Sequence, residues 1–159
     1  DGYSLAETAK VIRSHVIAMY LPSLVSGLLI ERMGTVRLMA IGGIALIAAC
    51  LVGLQGQSIM HYWFALVLLG VGWNFLYVGG TTMLTLTYTT AERFRAQAVN
   101  EFSVFGTSAT ASLLAGTVIH LYGWLTLVLV PLPLLLVTLF SLFYVRGDEK
   151  LHKVAPQAS

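Results

Sequence analysis

Four side chains could do chemistry in a chain otherwise poor in ionisable groups: Arg13, His15, Asn74 and Glu101. His15 brings an imidazole and Glu101 a carboxylate, either of which can carry a proton, and Asn74 offers two donors and an acceptor to a polar part of a substrate. Arg13 adds a fixed positive charge close to His15. Together they fit the capture of a small polar solute or a proton better than they fit covalent chemistry. Each also has a structural role open to it. Arg13 can snorkel to headgroups, His15 can cap a helix, Asn74 can bridge helices, and Glu101 can pair with Arg93 or Arg95 beside a helix amino terminus.

Enzyme signatures are missing. The chain has no Gly-x-x-x-x-Gly-Lys-Ser/Thr loop and no His-Glu-x-x-His pair, and Gly70-Val71-Gly72 lacks the strand context of a dinucleotide site. No spacing pairs a Ser or Thr nucleophile with a base. The single cysteine, Cys50, excludes an internal disulfide and a multi-cysteine metal centre. No enzyme activity, metal, cofactor or nucleic-acid partner is therefore expected.

The elements that must position these groups are membrane helices. Of 159 residues, 57% are hydrophobic and 10% charged, and the mean hydropathy is +0.83. A bilayer core about 30 Å thick takes roughly 20 apolar residues in a helix. Five such runs are predicted, over residues 11–30, 38–54, 63–88, 99–121 and 124–145, giving an all-α polytopic bundle in contact with lipid. A soluble helical core would have no charged face left to show to water. Residues 146–159 read as a polar tail.

Turn residues separate the runs: Gly34 within 31–37, Gly56 within 55–62, and Gly123. Thr89 and Glu92 have capping-box spacing, which predicts a helix start at the membrane surface. Arg32, Arg37, Arg93, Arg95, Arg146, Lys150 and Lys153 fall on one side, and only Lys10 and Arg13 on the other. The positive-inside rule then puts the carboxyl terminus in the cytoplasm, with Tyr62, Trp63, Tyr122 and Trp124 at the outer interface. The chain opens on Asp1 without a secretory leader pattern, so further helices are expected before it.

Polarity divides the runs. Leu38–Leu54 carries no polar side chain and Trp124–Val145 few, so both are expected to face lipid. The third and fourth runs, rich in Thr, Ser and Asn, are expected to be interior. Most of their hydroxyls should bond their own helix or a neighbour. Ser23 with Gly27, Ser112 with Gly116, and the glycines 70, 72, 79 and 80 read as close-packing points.

Gly27, Leu29, Glu31, Arg32, Gly34 and Arg37 resemble the cytoplasmic loop signature of the major facilitator superfamily, with Glu31 in place of the usual Asp. The stretch Glu92-Arg93, Ala96-Gln97, Asn100, Gly106, Gly116 and Gly123-Trp124 is similar to the segment leading through the eleventh helix of that superfamily. His15, Met19, Tyr20, Pro22 and Ser23, with residues 68–85, extend the likeness to a bacterial group of permeases. The resemblance implies helices eight to twelve of a twelve-helix permease in the bacterial inner membrane. It also implies peripheral ninth and twelfth helices, a missing amino-terminal half as partner, and alternating-access movement of a small solute. The alternative is a non-transporting subunit whose polar helices meet a membrane partner.

Overall fold

A computed structural model describes residues 2–154, with side chains through residue 145. Among them lie six helices and no strand: α1 Leu5–Tyr20, α2 Ser23–Met33, α3 Thr35–Gln55, α4 Ile59–Leu84, α5 Arg93–Leu129 and α6 Pro131–Val154. The protein is an all-α helical bundle with membrane-length helices.

The first helix begins before residue 11 because Ser4 and Glu7 form a capping box. Ser4 Oγ accepts from the Glu7 N–H at 3.3 Å, and Glu7 Oε2 accepts from the Ser4 N–H at 3.0 Å. Two otherwise orphaned donors are thereby satisfied. At its other end, Pro22 lacks the N–H that would continue the helix, and the axis bends by 41° into α2. The expected run 11–30 thus falls within a bent helix pair reaching from residue 5 to residue 33.

Gly34, at φ 88°, turns the chain from α2 into α3. Only a residue without Cβ takes that conformation at no steric cost. Residues 124–139 then run antiparallel to α3. Trp124 Nε1 donates to the Gly53 carbonyl at 2.9 Å, Val128 packs on Gly53, and Leu139 packs on Gly43. Helical backbone is nearly continuous over Arg93–Val145, 53 residues. That is about 80 Å at 1.5 Å per residue, more than twice a bilayer core. Gly123, at φ 78°, divides the stretch and allows the return. The break falls between the predicted fourth and fifth runs. By length and composition alone there are three span candidates, or four with the bent pair counted as one.

α3 packs on α4 and α6 and buries Val36, Leu38, Leu46 and Ala49, with Ile41, Ile44, Leu51 and Leu54 exposed. A helix without polar side chains can still be central when its glycines let neighbours approach. The fourth run is the exposed one: α5 buries only Val128, which lies beyond its break, while Phe102 and Leu113 are 81% exposed. Helix α6 continues through Val154, into the residues read as a polar tail; residues 155–159 of that tail lie outside the described residues.

The Thr89–Glu92 cap forms in half. Glu92 Oε2 accepts from the Thr89 hydroxyl at 2.8 Å and from its N–H at 3.1 Å. The hydroxyl bond first, and the backbone bond second, hold the Glu92 carboxyl below its usual value of 4.5. A depressed value means that this turn is fully stabilised above pH 4.5 and loses that support as pH falls through the lower folded value. Carboxyl-carbon NMR should place the Glu92 midpoint below 4.5, and Thr89→Val should return it towards 4.5. A midpoint unmoved by Thr89→Val would remove the cap from the account of this turn.

Candidate functional site

Close approach of α1, α3 and α4 sets the frame. A Cβ on Gly70 would lie 2.8 Å from the His15 carbonyl, and Cβ atoms on Gly42 and Gly72 would each lie within 3 Å of the other's carbonyl oxygen. Gly79 lies against the Met39 side chain instead of a backbone, so three of the four glycines singled out in α4 are packing points. Around Gly80, Gly27 and Gly116 the space is open.

Asn74 sits one turn after Gly70 and is 3% exposed. Its Nδ2 donates to the Met19 carbonyl at 2.7 Å and to Ser23 Oγ at 2.5 Å, while its Oδ1 accepts from Ser26 Oγ at 3.1 Å. Ser26 is wholly buried, and these two are the buried polar residues among those described. The amide thus spends its donors and its acceptor on the break around Pro22.

Towards the amino end of α1 from that break, His15 Nδ1 donates to the Leu66 carbonyl at 2.7 Å. Trp63 Nε1 donates to Ser14 Oγ at 3.0 Å. Both bonds tie α1 to α4. Arg13 is exposed on the same helix.

Glu101 meets a different partner from the arginines considered above. It is half-buried, and the Tyr77 hydroxyl donates across its two carboxylate oxygens, at 2.8 and 2.9 Å. Trp73 stacks on Tyr77 with ring centroids 6.3 Å apart, and the Phe105 ring lies 6.1 Å from Tyr77, tilted by 60°. Residues 73 and 77 share a face of α4 at helical spacing, as 101 and 105 do on α5. The result is an aromatic wall with one carboxylate in it. Sequence reasoning passes over Tyr77 because a tyrosine in an apolar run is ordinarily a packing residue; its spacing from Trp73 was the available signal.

Arg13, His15, Asn74 and Glu101 do not converge on one site. His15 and Asn74 lie along the α1–α4 contact, and Glu101 with Tyr77 lies between α4 and α5. The loop signature occupies the α2–α3 turn, where Gly34 makes the reversal and Glu31, Arg32 and Arg37 are exposed. Among the described residues, no group of three His, Cys, Asp or Glu could hold a metal ion.

A bundle of membrane-length helices, with a carboxylate and a phenol bonded between two of them, defines a polytopic membrane protein. The chain belongs to the Major Facilitator Superfamily, whose family description matches residues 2–159. It is similar to the riboflavin transporter RfnT of Brucella anthropi, 40% identical over 141 residues, 89% of this chain and 35% of that protein. It is similar also to two uncharacterised transporters of this type from Bacillus subtilis: YdeG, 33% identical over 81% of this chain and 30% of that protein, and YddS, 33% identical over 94% and 35%. The chain spans about a third of the length of these relatives. No solved structure matches it. Membership makes the protein an integral membrane protein of a transport family.

Proposed function

We propose that these 159 residues form the carboxy-terminal part of a twelve-helix permease that moves a planar heteroaromatic solute of the riboflavin class by alternating access. The observation that carries the substrate class is the Tyr77–Glu101 pair between Trp73 and Phe105. Aromatic faces stack on a flat ring system, and a carboxylate accepts from ring N–H groups along its edge. The named function of the Brucella relative supports the same chemistry. An amino-terminal half supplies the opposite wall, because alternating access rocks two halves about a site between them. The amino end of α1 faces outward, and the carboxyl end of α6 faces the cytoplasm of a bacterial inner membrane.

The test is uptake of labelled riboflavin by cells that neither make nor import it, expressing the complete protein. Saturable uptake, competed by unlabelled flavin, is the expected result. Absent uptake with the protein correctly inserted would exclude this substrate class.

A further inference from the structure

We propose that the Pro22 break is a working hinge and that Asn74 is its positioning residue rather than a substrate ligand. Above the break, α1 is fixed to α4 by backbone contact at Gly70 and by the bonds of His15 to Leu66 and Trp63 to Ser14. Below it, α2 is thinly held: Ser26 is its one buried residue, and Leu24, Val25 and Leu28 are exposed. A rigid upper half and a loosely packed lower half meet at a proline. Such a joint bends at the break.

The bonds at the joint have the form of a switch. In an unbroken helix the Met19 carbonyl would accept from the N–H four residues on; here it accepts from the Asn74 amide on another helix. The Leu24 N–H donates back to the Leu21 carbonyl at 3.2 Å, and the Val25 and Ser26 N–H groups donate to the Pro22 carbonyl at 3.0 and 2.9 Å. Ser26 Oγ has one proton and two acceptors in reach, the Pro22 carbonyl at 2.8 Å and Asn74 Oδ1 at 3.1 Å. The hydroxyl can turn its hydrogen bond from one acceptor to the other as α2 tilts, so neither bend angle strands a buried hydroxyl. α2 ends at Gly34, so its tilt moves the turn bearing Glu31 and Arg32.

The test measures the bend in the complete protein. Spin labels at Ile12→Cys on α1 and Leu28→Cys on α2, both exposed sites, with other cysteines including Cys50 replaced, report one distance across the joint. The intact clamp should give a narrow distribution, Asn74→Ala a broadened one, and Pro22→Ala a longer one that adding Asn74→Ala leaves unchanged. A distribution that Asn74→Ala does not alter, or alters equally with alanine at position 22, overturns the hinge. Should Asn74→Ala fail to accumulate, Ser26→Ala, which removes only the shared hydroxyl, must shift the distribution for the hinge to stand.

The role of the hinge in transport rests on the function proposed above. Asn74→Ala should lower the maximal uptake rate about tenfold, the scale of one buried hydrogen bond, with the riboflavin KM unchanged. A raised KM at an unchanged maximal rate would make Asn74 a substrate ligand and overturn the assignment. If the unaltered protein moves no riboflavin, the transport reading fails while the distances still decide the hinge.

Discussion

Gly72→Ala is expected to destabilise the protein by about 2–3 kcal/mol, and Gly72→Leu to prevent assembly of the bundle, with overpacking costs of this order seen in close-packed cores. The added Cβ would lie 2.8 Å from the Gly42 carbonyl oxygen and from Leu46. A carbonyl in a helix cannot move aside without moving the helix. Gly42→Ala meets the same obstacle in reverse, at 2.9 Å from the Gly72 carbonyl and from Phe75 Cβ. Lipid tails are as apolar as the side chains between helices, so association depends on this close fit rather than on exclusion of water. Gly43→Ala is the contrasting case, since its new Cβ meets only the end of the Leu139 side chain, which can change rotamer.

Thermal unfolding of the detergent-solubilised protein, followed by monodispersity on a sizing column, should order the variants as Gly43→Ala mildest, Gly42→Ala and Gly72→Ala severe, and Gly72→Leu unrecoverable. The double variant Gly42→Ala/Gly72→Ala should cost less than the separate costs together, because the first Cβ already parts the helices. Equal tolerance of Gly43→Ala and Gly72→Ala would mean that α3 and α4 are not in backbone contact.

That interface shows what was legible and what was not. The glycines of α4 could be read as packing points from their spacing, but their partners on a helix without polar groups could not. Polarity alone therefore could not show that α4 and α6 pack on α3. A count of polar side chains reports where water or solute is tolerated, whereas centrality in a bundle depends on how closely backbones approach. On α5 the hydroxyls of Ser103 and Thr110 bond back to the carbonyls of Val99 and Gly106 on the same helix, as their type led one to expect. The early start of α1 was readable, since Ser4 and Glu7 have capping-box spacing. The partner of Glu101 was not, because a tyrosine 24 positions away carries no local mark of its role.

Glu101→Gln is the variant expected to affect transport most, with a loss of riboflavin uptake of about tenfold or more, the range of a charge-assisted hydrogen bond. The Tyr77 hydroxyl spans both carboxylate oxygens but occupies only part of their capacity, since an ionised carboxylate offers about four acceptor positions. The remaining positions can take N–H groups from a ring stacked on the aromatic wall. Glutamine keeps the shape and an acceptor for Tyr77, so the fold should survive, but it removes the charge and turns one acceptor into a donor. Tyr77→Phe does the reverse. The carboxylate and the ring face remain while the group that orients the carboxylate is lost, so KM should rise a few-fold, as for one neutral hydrogen bond, and the maximal rate should hold. Uptake kinetics of the two variants at matched membrane levels separate the roles. Normal uptake by Glu101→Gln would reduce Glu101 to a bridge between α4 and α5, and the substrate site would then have to be sought elsewhere along the exposed face of α5.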